Sequence, residues 1–216
     1  MALLNPDSVS RELRRFRVAV GYFTRIPMGT ISGFSDSDLD HASQYLPWIG
    51  LGIGAIAAGV FWFSTLWLPQ PAAAVLAVVA GLLLTGCFHE DGLADVCDGF
   101  GGGFAPADKL RIMKDSRIGT YGATGLWVVL SLRIAILAFL DPVLGVVLLV
   151  VAHALSRIAP LVLIYLLDYV QDAEASRAKP VAQGVPSRGL LVGLAVVVPL
   201  GLWQLQLTVV AALILV

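Results

Sequence analysis

The chain of 216 residues predicts an all-α fold: a polytopic membrane bundle of about five to six spans with one acidic, glycine-rich segment between spans. Three observations predict it. The chain is 58% hydrophobic and 13% charged, with a mean hydropathy of +0.86; a soluble domain averages roughly 25% charged residues. Its apolar stretches are long enough to cross hydrocarbon. Its cations sort to one side of those stretches.

Five stretches qualify: Pro47 to Leu68, Pro71 to Phe88, Gly122 to Leu140, Pro142 to Leu167 and Gly189 to Val216. The last contains Pro199, Gln204 and Gln206, and reads as one long kinked helix or as a broken pair. Residues 1–216 read as a single domain, with an interfacial segment over 1–46 and a catalytic loop over 89–121. The polar start and the length of the first apolar run predict a retained span, with no cleavable leader.

Of the fourteen Lys and Arg residues, twelve fall in three segments. Arg11, Arg14, Arg15, Arg17 and Arg25 precede the first stretch. Lys109, Arg111, Lys114 and Arg117 separate the second from the third, and Arg177, Lys179 and Arg188 separate the fourth from the fifth. The connections at Pro69-Gln70 and Asp141-Pro142 carry none. The positive-inside rule therefore places the N-terminus and segment 89–121 in the cytoplasm. No nucleic-acid partner is expected; the lipid bilayer is the expected surroundings, and a homo-oligomer is allowed.

Before the first span, Leu13, Phe16, Val20 and Phe23 recur at helical spacing among arginines. Such a helix lies in the headgroup plane or packs on the bundle, and the pattern fits both. Ser35-Asp36-Ser37-Asp38 predicts a helix cap and polar surface. Cys87 and Cys97 match neither a zinc spacing nor a disulfide framework and read as small apolar fillers. Arg133, His153 and Arg157 are ionisable groups inside predicted spans. They have functional and structural readings alike, as a charge there snorkels, pairs or acts.

The most informative segment is His89-Glu90-Asp91-Gly92-Leu93-Ala94-Asp95-Val96-Cys97-Asp98-Gly99, followed by Phe100-Gly101-Gly102-Gly103. As a helix it phases Asp91, Asp95 and Asp98 to about 0°, 40° and −20°, one acidic stripe opposite Leu93, Val96, Cys97 and Phe100. Three anions so spaced repel one another unless a cation sits among them. Oxygen donors without a His/Cys set favour a hard ion, Mg²⁺ or Mn²⁺, shared with substrate phosphates. A solvated, turn-rich loop is the other reading. Gly99 and Gly101 to Gly103 could form a backbone nest for phosphate oxygens, or a flexible linker. In the next segment Arg111, Lys114 and Arg117 would suit a pyrophosphate. Carboxylates, glycines and cations together point to metal-assisted phosphoryl transfer.

The motif His89-x-Asp91-Gly92-Leu93-Ala94-Asp95-x-x-Asp98-Gly99 and the run Met113 to Gly122 resemble the cobalamin synthase family, the adenosylcobinamide-GDP ribazoletransferases. Phe23 to Pro27 and Tyr45 to Gly50 add to the likeness, which runs from about Phe16 to Gly189. The resemblance implies a Mg²⁺-dependent polytopic inner-membrane enzyme. It would join α-ribazole, or its 5′-phosphate, to adenosylcobinamide-GDP and release GMP. It further implies that Asp91, Asp95 and Asp98 hold the metal on the pyrophosphate. Lys114, Asp115 and Arg117 would complete the site, and Asp98 or His89 would take the hydroxyl proton.

Two features depart from the family. Glu90 stands where an apolar residue is usual. The sequence ends at Val216 inside an apolar run, where the family continues to a Gly-Asp-containing segment, so the chain reads as truncated or as lacking a dispensable piece. Two alternatives fit less well. A CDP-alcohol phosphatidyltransferase would place Ala-Arg soon after Asp-Gly, whereas Asp95 follows Ala94 here. A cation transporter would set its carboxylates in mid-span along a path.

Overall fold

The computed structural model describes residues 6–167 and 187–203, all of them helix, turn or connecting backbone, with no strand among the described residues. Arg177, Lys179, Gln204, Gln206 and the end at Val216 lie outside the described residues. The helices are α1 (Pro6–Phe23), α2 (Asp36–Asp40), α3 (Leu46–Thr65), α4 (Gln70–Thr85), α5 (Phe88–Gly102), α6 (Pro106–Met113), α7 (Thr120–Phe139), α8 (Pro142–Leu155), α9 (Ile158–Leu166) and α10 (Ser187–Trp203). A 3₁₀ turn, Ala42–Tyr45, leads into α3.

Among the described residues three helical stretches are long and apolar enough to cross a membrane: Ser37–Thr65, Thr120–Phe139 and Pro142–Leu166. The second apolar stretch departs from expectation. α4 stops at Thr85, and its 16 residues reach only about 24 Å, short of a hydrocarbon core. The chain then bends by 90° into α5, so α4 and α5 make a fourth span only if counted together. The bend is built on consecutive left-handed residues, Gly86 at φ 63° and Cys87 at φ 61°. Gly86 suits that conformation; Cys87 pays a steric penalty for it and is more than a filler. In the last stretch α10 continues through Pro199 to Trp203, so it does not break there.

The described residues form two compact units, one within 1–58 and 146–216 and one within 59–145. In the first unit α1 packs rather than standing free. Phe23 is buried, and the Phe16 ring meets Tyr45 edge-on at 5.5 Å. The Arg14 Nε donates to Asp38 Oδ2 at 2.9 Å. Asp38 therefore belongs to the interior, not to polar surface: its carboxylate is 1% exposed and also accepts the Ser35 amide at 3.1 Å, closing a capping box. Gly54 lets α3 approach α8, since a Cβ there would stand 2.7 Å from the Leu149 carbonyl. The His153 Nδ1 donates to that same carbonyl at 2.8 Å, a structural role.

The second unit holds the acidic segment. α4 is tied to the far end of α7 by Gln70, whose Nε2 donates to the Leu137 carbonyl at 2.8 Å and the Leu140 carbonyl at 2.5 Å. Trp127, Leu132 and Phe139 of α7 present exposed apolar side chains, as a helix facing lipid must.

Candidate active site

Segment 89–121 is two helices and the start of a third, not a loop. α5 begins at Phe88 and includes every carboxylate of the motif, so the stripe expected from helical phasing forms. Asp91, Asp95 and Asp98 occupy one side of α5, with Asp91 exposed, Asp95 half-buried and Asp98 buried.

Two seams frame this stripe, and glycines make both. Toward α7, a Cβ at Gly101 would run into the Tyr121 ring, and one at Gly125 would stand 2.6 Å from the Cys97 Sγ. Toward α6, a Cβ at Gly99 would stand 2.6 Å from Met113 Cγ, and one at Gly103 would stand 2.8 Å from the Lys109 amide. Side chains at these positions would push three helices apart. The glycine run is accordingly not an open phosphate nest. Gly99, Gly101 and Gly102 are helical, and the Gly103 amide donates to the Gly99 carbonyl at 3.0 Å. The sequence leaves a nest and a linker both open for these glycines, and close approach by a neighbouring helix draws on the same lack of a Cβ.

Asp98 does something the motif alone did not reveal. Its Oδ2 accepts the Gly119 amide at 2.7 Å and its Oδ1 the Gly122 amide at 2.8 Å. Gly119 is the N-cap of α7, and Gly122 its third helical residue. A capping box satisfies these same two donors with side chains at the same two positions. Here both positions are glycine, and a carboxylate from α5 supplies both acceptors. A Cβ at Gly119 would stand 2.5 Å from Asp98 Oδ1, so the glycines make room for the carboxylate they bind.

Among the described residues no three His, Cys, Asp or Glu side chains stand close enough to hold a metal ion between them. The set of Asp91, Asp95 and Asp98 expected from the sequence shares a stripe without being gathered into a cage, because Asp98 turns to α7. His89 is not brought to the stripe either. It is the second residue of α5, with its ring 5.4 Å from that of Phe88, and nine residues of helix put it about 180° around from Asp98. The donor chemistry still fits Mg²⁺, which is commonly held by one or two carboxylates plus substrate phosphates. Asp91 and Asp95 are the free pair, and no ion pair engages either among the described residues.

The cations lie on α6 and the turn after it. Lys109 is committed elsewhere, its Nζ 4.4 Å above the Phe100 ring. Arg111 pairs at 3.4 Å with Asp108 on its own helix. Lys114 is exposed at the C-cap of α6. Arg117 meets Asp115 in a fork, Nη2 to Oδ2 at 2.7 Å and Nε to Oδ1 at 3.1 Å, while its amide also donates to Asp115. These hydrogen bonds hold the Asp115 carboxyl below the usual carboxylate range. Arg117 is thus held pointing outward in solvent, an arrangement suited to gripping an anion.

Sequence reading left Glu90 and Arg133 unassigned. The structure joins them: Arg133 Nη1 donates to Glu90 Oε1 at 3.0 Å. The signal was present, since a cation inside an apolar span asks for an anion and Glu90 is an acidic residue at the edge of the motif.

A membrane protein, helical throughout its described residues, with unpaired carboxylates beside a rim of surface cations is, as a class, a membrane enzyme of phosphoryl chemistry. The profile of the cobalamin-5-phosphate synthase family matches residues 15–216, and the chain belongs to that family. Proteins named adenosylcobinamide-GDP ribazoletransferase are similar to it. Those of Shewanella sp. (strain ANA-3) and Shewanella putrefaciens are 48% identical over 180 residues, and that of Shewanella oneidensis 47%. Each alignment covers 82% of this chain and 69% of the relative. No solved structure matches with significance.

Proposed function

We infer that this chain carries out the adenosylcobinamide-GDP ribazoletransferase reaction, the last transferase step of cobalamin assembly. A hydroxyl oxygen of α-ribazole, or of its 5′-phosphate, bonds to the phosphorus attached to adenosylcobinamide. The bond from that phosphorus to the bridging oxygen breaks, GMP leaves with the electron pair, and the hydroxyl proton is released. The observation that carries this reading is the unpaired carboxylates Asp91 and Asp95 held between two glycine seams, in a chain 48% identical to relatives of that name.

Asp91 and Asp95 would hold Mg²⁺, with the lone pairs of Asp98 not used by α7 adding to the set. When bound, the ion supplies charge neutralisation at the pyrophosphate. The chain's own residues do the rest. Arg117, kept in position by Asp115, grips phosphate oxygens in a fork, and Lys114 and Arg111 add point charge. Asp98 anchors the N-terminus of α7, whose partial positive charge then lies beside the pyrophosphate. Placing His89 across the helix from the stripe favours Asp98 or solvent as the proton acceptor. A loose phosphoryl transition state asks little of a base.

The cation distribution supports a bacterial inner-membrane location with segment 89–121 in the cytoplasm, where nucleotide-activated substrates are made. The deciding experiment is purified protein with adenosylcobinamide-GDP, α-ribazole and Mg²⁺, following GMP. Release that depends on α-ribazole and stops with chelator supports the reading; release of GMP without corrinoid product, or none at all, overturns it.

A further inference from the structure

We propose that the Glu90–Arg133 ion pair is a positioning device that sets the register of α5 on α7 and so presents Asp91 and Asp95. α5 touches α7 through ordered contacts at two levels. Near its C-terminal end Asp98 holds the amides of Gly119 and Gly122, at the start of α7. At its N-terminal end Glu90 holds Arg133. Arg133 lies 13 residues past the start of α7, about 20 Å along the helix. The two helices therefore run in opposite directions, pinned at both ends of the acidic stripe, with Asp91 next in sequence to one pin and Asp98 forming the other.

Glycine seams allow close approach, but they hold α5 on α7 through non-directional van der Waals contact. An ion pair does not slide. In a span, moving Glu90 away would leave Arg133 charged without its partner in hydrocarbon. Register selection is the best-attested use of a polar pair set in an apolar interface, and this pair is half-buried. The pair is also imperfect as a stabiliser. Among the described residues Arg133 binds through Nη1 alone, and its buried Nε meets no hydrogen-bond partner. One point contact is all the geometry uses, so lysine should serve in place of arginine.

The kinetic arm of the test rests on the transferase reading; a second arm does not. Cys97 lies on the same seam, against Gly125, so its alkylation rate reports the fit of α5 on α7, read peptide by peptide to separate it from Cys87. Glu90→Gln and Arg133→Met are expected to lower kcat about tenfold with little change in KM for adenosylcobinamide-GDP, as misplacement of a catalytic group does. Both should speed alkylation of Cys97. Arg133→Lys should behave as the parent, and the exchange Glu90→Lys with Arg133→Glu should recover both readouts. Parental kcat and Cys97 rates in the single variants would overturn the proposal, as would a lysine variant no better than methionine. Should the parent release no GMP, the transferase reading fails while the Cys97 rates still decide the pair. Should Arg133→Met not be recovered from membranes, Glu90→Gln and the exchange carry the decision.

Discussion

Gly119 donates its amide to the Asp98 carboxylate at 2.7 Å, and three residues on Gly122 does the same at 2.8 Å. The last carboxylate of the acidic motif thus caps the start of a membrane helix. Each of its oxygens meets one of the four backbone donors that a helix N-terminus leaves unsatisfied. Asp98→Asn keeps one acceptor oxygen, and Asp98→Ala keeps none. Buried donors left unpaired cost about 1–3 kcal/mol each. Melting in detergent should therefore fall in the order parent, Asn, Ala. Equal melting of all three would remove Asp98 from this role.

The seams make a separate prediction. Gly101→Ala sets a methyl against the Tyr121 ring, and Gly99→Ala sets one against Met113. Overpacking of this kind costs about 1–3 kcal/mol. Methionine is flexible and an aromatic ring is not, so Gly101→Ala should be the more damaging of the two in thermal melting. At Gly92 a Cβ meets nothing within 4 Å, so Gly92→Ala should leave melting unchanged or slightly raised.

Asp95→Asn should abolish Mg²⁺-dependent GMP release while the protein inserts and melts as the parent does. It makes no hydrogen bond that α6 or α7 depends on among the described residues. Asp91→Asn should raise the Mg²⁺ concentration for half-maximal rate by roughly 10–100-fold, the usual cost of weakening a metal site. Rates unaffected by either change would leave the stripe without a metal role.

Asp115 and Arg117 predict a pH dependence. The Asp115 carboxyl is held below its ordinary range by Arg117, so the fork is complete at neutral pH. It persists through mild acidification and is lost only as the pH falls through the depressed value. KM for adenosylcobinamide-GDP should therefore stay flat on mild acidification in the parent. Asp115→Asn should raise KM several-fold with little effect on melting, since both side chains are in solvent. A KM unchanged by Asp115→Asn would show that Arg117 needs no partner.

How much of this was legible beforehand differs by residue. The stripe of Asp91, Asp95 and Asp98 was readable because helical phase is a local property, set by 100° per residue wherever the chain is helical. The family was readable because its motifs are contiguous. The glycines were seen but their neighbours were not: a glycine's sequence context does not say whether a ligand or a neighbouring helix approaches it. The bend at Gly86-Cys87 was hidden because hydropathy runs unbroken through it to Phe88. Asp38 was read as surface because its partner Arg14 lies 24 residues away.

By itself the sequence determined the class, the helical phase of the carboxylates and the segregation of the cations, each of which follows from composition or from neighbours within a few turns. Only the tertiary structure decided that Asp98 starts α7 and that Glu90 answers Arg133. It alone showed that glycines stand where three helices meet. Those facts depend on which helices touch. Pairing across 21 to 43 residues is chosen by the summed packing and desolvation of whole helices, a quantity that no short stretch of sequence carries.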